Sequence, residues 1–420
     1  MVAWVDYSRA VEFAVHLRSL KLTNYRNFRR LALSLDDGPT VVQAENAQGK
    51  TNLLEAIALL ATTKSGRASS DRELIHWAAL QNNDLPAEPF ARISAVIGHE
   101  RGEIHADVVV RAGDPTDDGT LNASKTFRLN GLPRRAVEFI GEINVVSFSP
   151  EDVELVAGAP SGRRRYLDVT NSQMSSRYLR TLQRFNRVLQ HRNHLLRTMR
   201  EQGRHDPSLE VWNQELATNG AFLFQERARS LQALNELADR WFRELGSWGQ
   251  HLEIRYAPAI GDSPKAAILQ ELTGQNDEQL GRIHSMLLEA LERSADRERA
   301  AGMSLIGPHR DDFSFRVDGI DLNTYGSRGQ QRLAALSLKL AELDLLGDVM
   351  RSRPILLLDD VLSELDARKQ AAVLRVAATA GQAIITLTSL DVLKGNALPG
   401  ARVLTLETGA LVDRELRVAP

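Results

Sequence analysis

The chain has 420 residues, about three domains or one elaborated domain at ~150 residues each, which excludes a stapled mini-protein. Its 43% hydrophobic and 25% charged residues are those of an ordinary globular protein, and 52 Lys plus Arg against 54 Asp plus Glu leave a formal charge of -2, so any nucleic-acid surface must be local. The absence of cysteine excludes a disulfide framework, a thiolate nucleophile and cysteine-ligated metal sites, and is compatible with a reducing compartment.

Met1 to Val15 carries Asp6 and Glu12 in place of a basic head and a long apolar centre, so it does not read as a signal peptide. Residues 1–16 form an extension before the first expected strand, either frayed or the product of an upstream start codon. Strand signals follow at Leu17–Leu22, Leu31–Leu35 and Thr40–Ala44, then a helix from Gly49 to about Thr62. Further strands are expected at Arg92–Ile97, Ile104–Arg111 and Thr126–Leu129, several of them antiparallel, with Asp36-Asp37-Gly38 and Asn130-Gly131 as turns. Helical spacing dominates Ser176–Met199 and Ser208–Leu245, which reads as two long helices folded back on each other, and returns at Asp277–Arg299. Last come a strand at Asp312–Val317, a helix at Gly329–Asp348, and strands at Pro354–Leu358 and Ala383–Thr388. The most apolar run, Pro354–Leu358, falls far short of the ~18 residues of a membrane span, and the expected location is the cytoplasm.

The loop between the third strand and the first helix is Ala44-Glu45-Asn46-Ala47-Gln48-Gly49-Lys50-Thr51, a phosphate loop. Its backbone N–H groups are expected to cradle a triphosphate, Lys50 to neutralise the β- and γ-phosphates, and the Thr51 hydroxyl to coordinate Mg²⁺. Ala44 stands where the first glycine usually is. The apolar strand Pro354–Leu358 delivers Asp359, expected to hold Mg²⁺, and Asp360, expected to orient or deprotonate the attacking water. A helix cap after a core strand is the bland alternative for these aspartates. Lys50 and Asp359 lie 309 positions apart, so an inserted domain is expected between them. Gly326-Ser327-Arg328-Gly329-Gln330-Gln331-Arg332 opens a helix with small residues and exposed N–H groups, an anion site most simply explained by the γ-phosphate of ATP on a partner subunit, with a plain helix cap as the alternative.

From Arg163 to Arg200 there are ten arginines against one acid, Asp168. At ~100° per residue Arg177, Arg180, Arg184 and Arg187 share one helix face, opposite Tyr178, Leu182, Phe185, Leu189 and Leu196. Such a stripe suits a DNA phosphate backbone; the alternative is a solvated face or ion pairs with Glu210, Glu215 or Glu226. His309 has no second histidine at ligand spacing and reads as structural.

Taken together, the phosphate loop, GSRGQQR, LLLDDVLSELD (Leu356–Asp366), LIGPHRDDF (Leu305–Phe313), LTNYRNFRRL (Leu22–Leu31) and the Phe148–Asp168 stretch resemble the RecF family from about Leu17 to the C-terminal region. That family is similar to the head domains of SMC proteins and ATP-binding cassette proteins. The resemblance implies an α/β fold, an ABC/SMC-type P-loop ATPase head with an inserted α-helical domain. The implied division is an extension (1–16), a first head part (17–150), a helical insertion (151–300) and a second head part (301–420). It further implies an ATP-dependent homodimer and weak DNA-stimulated ATPase that binds gapped or junction DNA. With RecO and RecR such a protein helps load RecA, in recombinational repair, replication restart and SOS induction. Ser327, Gly329 and Gln330 match a signature acting in trans, and Ser363 to Asp366 match the dimer-contacting loop. The usual histidine of the switch strand is not evident at Thr386–Ser389. Two other readings are weighed: a transporter nucleotide-binding subunit, opposed by the insertion, and an SMC-like tether, opposed by helices under ~40 residues, or ~60 Å.

Overall fold

The computed structural model describes residues 15–81, 88–99, 102–115, 121–204, 206–246, 249–260, 277–393, 398–407 and 409–413. Most of the expected N-terminal extension lies outside these; His16 already belongs to a strand. The chain forms two compact units, one built from residues up to Glu151 and from Leu343 onward, the other from Asp152 to Glu342.

In the first unit the strands are β1 (His16–Tyr25), β2 (Phe28–Ser34), β3 (Gly38–Gln43), β4 (Phe90–His99), β5 (Gly102–Pro115), β6 (Leu121–Leu129), β7 (Leu132–Arg134) and β8 (Val145–Phe148). Period-two burial marks β1, β2, β4, β5 and β6, whose inward residues include Leu20, Leu22, Ile93, Val108 and Phe127. With β7 these strands form an antiparallel sheet in the order β2-β1-β4-β5-β6-β7. The β6–β7 turn uses Asn130 and Gly131 at φ 51° and 79°, the left-handed pair that a two-residue hairpin demands.

The second unit contributes β9 (Leu252–Ala257), β10 (Asp312–Val317) and β11 (Ile320–Asp321), and the chain returns to the first unit with β12 (Ile355–Asp359), β13 (Gln382–Leu387), β14 (Arg402–Glu407) and β15 (Ala410–Asp413). The second sheet of the first unit runs β15-β14-β3-β13-β12-β8; all neighbours are parallel except the edge strand β15. Helix Lys50–Thr62 buries Leu53, Leu54, Ile57, Leu59 and Leu60 in one core with residues of both sheets, so it is apolar almost all round. Fully burying each such side chain contributes about 1.5–3 kcal/mol.

The second unit is mainly helical: Pro160–Met174, Ser176–Gln202, Leu209–Leu245 and Asp277–Ala301. Ser175 caps Ser176–Gln202 by accepting from the Tyr178 N–H, and Gly203 at φ 65° ends it. Leu209–Leu245 is 37 residues long, in keeping with the expected folded-back pair. The domain boundary expected after residue 300 falls inside this unit, because β10 pairs antiparallel with β9 and binds both sides of position 300 into one sheet. The helix Arg328–Met350 starts in the second unit and ends in the first. Among the described residues no helix is long and apolar enough to cross a membrane.

Candidate functional site

In the parallel sheet β13 lies between β3 and β12, so all three release their C-terminal ends at one edge. The phosphate loop leaves β3 there, Asp359 ends β12, and Thr386 is near the end of β13. The sheet thereby unites residues 309 positions apart in sequence.

Ala44 is buried, its N–H donates to Leu387 O at 3.0 Å, and its φ is not positive, so the β-carbon at this position is accommodated. The left-handed turn is made by Ala47, at φ 65°, and Gly49, at φ 104°. A β-carbon on Gly49 would sit 2.4 Å from Asn27 Nδ2. Asn27 comes from the β1–β2 turn and is held in place: it donates to Gln48 O at 3.0 Å and accepts from Asn52 Nδ2 at 2.8 Å. Composition and spacing give no hint of this support, because it depends on the first sheet packing beside the loop.

Lys50 is buried and donates to Ala44 O at 2.7 Å and Glu45 O at 3.4 Å, closing the loop around its ammonium. Burial lowers its pKa from the ordinary lysine value, while Asp360 and Asp359 pull the other way. Glu45, Asn46 and Gln48 complete the loop, and Gly49 leaves the helix start without a side-chain cap or an acidic first turn. That start favours an anion.

Asp359 is buried and accepts from Thr386 Oγ1 at 2.9 Å through Oδ1. Asp360 adopts φ 53°; its N–H donates to Thr386 Oγ1 at 3.0 Å, and its Oδ1 accepts from Thr388 Oγ1 at 3.3 Å. Its carboxylate caps no helix. Where the switch strand usually carries a histidine, the chain places two threonines that aim the two carboxylates. The Thr51 hydroxyl and Asp359 Oδ2 have no hydrogen-bond partner among the described residues, and oxygens of this kind suit a hard divalent cation. Ser363 Oγ donates to Asp360 O at 2.7 Å, and Asp366 caps helix Ala367–Thr379 by accepting from Lys369 N–H at 3.0 Å.

In the second unit, Ser327 and Gln330 bond reciprocally: Ser327 N–H to Gln330 Oε1 at 3.0 Å and Gln330 N–H to Ser327 Oγ at 3.3 Å. This is a capping box at the start of Arg328–Met350, with Ser327 and Gly329 exposed.

The arginine run is less free than its count implies. Arg163 forks onto Asp312 at 2.7 and 2.9 Å, and Arg192 is buried against Glu298 at 2.6 Å, so both support the fold. On the exposed stripe Arg177 lies 4.4 Å over the Phe222 ring, Arg180 donates to Ser176 Oγ at 3.2 Å, and Arg184 pairs with Glu215 at 2.9 Å, the ion pair weighed as an alternative. Arg187 is exposed. His309 is half-buried against Phe185 with Nε2 on Ser304 O at 3.1 Å, a structural placement.

Residues 16–401 match the model of the RecF/RecN/SMC N-terminal domain. The chain is 42% identical to the DNA replication and repair protein RecF of Chloroflexus aurantiacus, over 94% of this chain and 99% of that protein. It is 41% identical to RecF of Herpetosiphon aurantiacus, over 90% and 94%. Among solved structures, the recombination mediator protein RecF-ATP of the RecFOR pathway superimposes with a TM-score of 0.81 at 30% identity, covering 96% of this chain and 98% of that one. The Smc head domain of Pyrococcus furiosus, at 16% identity and a TM-score of 0.51, shares the fold. An ATPase head of ABC/SMC type carrying a helical insertion, matched over nearly its whole length by these proteins, places the chain in the RecF family.

Proposed function

We propose that the chain is an ATP-binding recombination mediator acting on DNA in replication and repair, and that it hydrolyses ATP weakly, under stimulation by DNA. The observation that carries this reading is the convergence of Lys50, Asp359 and Asp360 on one sheet edge in a chain so similar to RecF proteins. Loop residues 45–49 present N–H groups to the phosphates, the Ala44 N–H being held by Leu387 O, and the Lys50 ammonium neutralises their charge. Asp360, aimed by Thr388, orients the attacking water and accepts its proton. Thr51 and Asp359 would hold Mg²⁺, which supplies charge neutralisation across the phosphates.

Hydrolysis is coupled to dimerisation: Ser327, Gly329 and Gln330 meet the γ-phosphate bound by a second copy, and Ser363 and Asp366 line the dimer contact. DNA phosphates are met by Arg177, Arg180, Arg184 and Arg187, with Arg184 first leaving Glu215. The partners are RecR and RecO, and through them RecA at gapped DNA, in the cytoplasm. A transporter role is disfavoured by the extended match to RecF.

The test is sedimentation with ATP, with ADP and without nucleotide, with and without gapped DNA. Lys50→Ala is expected to lose ATP-driven dimerisation and to bind ATP markedly less well. Wild-type affinity and dimerisation in this variant would refute the phosphate-loop assignment.

A further inference from the structure

The antiparallel sheet of the first unit has one face against the core and one toward solvent, and the solvent face is cationic. Lys21, Arg30, Arg92, Arg111 and Arg128 are exposed on β1, β2, β4, β5 and β6. They share a face by register. Lys21 stands opposite Ser94, Ser94 opposite Asp107, and Asp107 opposite Arg128; one step along, Arg30 faces Thr23, and Thr23 faces Arg92. Arg111 lies four residues beyond Asp107 on the same strand, again on the same side.

Only part of this charge is neutralised. Asp107 is taken by Arg92 at 2.8 and 3.0 Å, and at the sheet's end Arg18 pairs with Glu103 at 2.8 Å. Lys21, Arg30, Arg111 and Arg128 form no ion pair among the described residues. Like charges spread on one face repel one another, so this face does not help the unit to fold. Hydrated and exposed, these cations are available to an external anion.

The spread identifies the anion. From β2 to β6 is four strand spacings, about 19 Å at ~4.8 Å each. That is several times the ~3.4 Å rise between successive phosphates of one strand, so the face fits a polyphosphate backbone rather than a single phosphate. Its apolar members, Phe90, Val96 and Val109, are half-buried and offer nothing to insert into a lipid bilayer. We propose that the solvent face of this sheet is a second DNA-binding surface, contacting the phosphate backbone independently of the arginine stripe on Ser176–Gln202. The inference rests on the reading of the chain as a DNA-acting mediator.

The test is a salt titration of duplex DNA binding by the full chain carrying Lys21→Glu with Arg30→Glu, neither of which faces a carboxylate in register. The log-log slope is expected to fall by ~0.9 for each phosphate no longer neutralised, with ATP binding unchanged. Lys21→Gln with Arg30→Gln carries the same expectation and decides the matter if a melting scan shows the glutamate pair unfolded. An unchanged slope in the folded variant overturns the proposal. If Arg180→Glu with Arg187→Glu then lowers the slope, the DNA-acting reading stands without the sheet. A wild-type chain with no salt-dependent DNA binding overturns both. Loss of binding to anionic vesicles, with DNA binding intact, overturns the proposal in favour of a membrane surface.

Discussion

The phosphate loop shows how a single backbone angle outranks a motif letter. A β-carbon at Ala44 is harmless, because the residue still belongs to strand geometry and is tied to Leu387 O. Ala47 is the residue that bears the left-handed conformation, at a cost of roughly 1–2 kcal/mol for a side chain there. Gly49 is different in kind: at φ 104° its added β-carbon would also displace Asn27 from Gln48 and Asn52. Gly49→Ala is therefore expected to weaken ATP binding tenfold or more, whereas Ala47→Gly should keep or improve it. Calorimetric titration of ATP checks this, and equal affinities in the two variants would contradict the loop geometry. The chemical letters Lys50, Thr51, Asp359 and Asp360 are readable in the sequence because each sits in a local strand–turn pattern. Asn27, Thr386 and Thr388 are not, since their roles arise only from strand pairing and packing between distant segments.

Among the elements, the helical unit is held by charges that composition cannot rank. Every arginine from Arg163 to Arg200 counts alike in a sequence, yet Arg192 is fully buried between Glu298, Ser304 and Asn213. Arg227, from Leu209–Leu245, likewise joins Asp168 at 2.6 Å and Asp311 at 2.7 Å. Such pairs are costly to desolvate, and breaking one by removing a partner costs about 3–5 kcal/mol. The helices themselves are legible from spacing and caps; which polar residues lie inside is not, because that depends on partners supplied by residues near 298–312. His309 sits in this interior. Burial, above all, lowers its pKa from 6.5 to about 4, with only the Ser304 carbonyl opposing. Between those values the unfolded chain binds a proton that the folded chain refuses, so stability rises with pH and is lost on acidification. Two to three pH units at ~1.36 kcal/mol each amount to about 3 kcal/mol. His309→Gln should remove that part of the pH dependence between pH 6.5 and pH 4, read as a smaller difference in denaturant midpoint across the window. Identical pH dependence in the two proteins would rule out His309 as the titrating group.

At the scale of the molecule, the expectation of an interrupted head holds because the parallel sheet needs β3, β12 and β13 side by side, and only an insertion reconciles that with 309 intervening positions. The second boundary falls elsewhere than expected because the short strands 312–317 look like a return to the head, whereas their partner is β9. The start of Arg328–Met350 belongs to the helical unit, up to Glu342. Ser327 already has a local task, capping that helix with Gln330, so its presence alone does not argue for a second subunit. Charge separates the two tasks. Ser327→Arg removes the cap, at about 1 kcal/mol, and adds bulk; Ser327→Asp retains a good cap but puts a carboxylate where an anion is expected from the partner. Both variants should bind ATP as single chains with wild-type affinity, and both should fail to dimerise or to hydrolyse at the stimulated rate. A melting scan should register the lost cap in the arginine variant only. If Ser327→Asp dimerises on ATP like the wild type, capping is all that Ser327 does and the partner's phosphate must be met elsewhere; if single-chain ATP affinity drops in both, the residue acts within its own subunit.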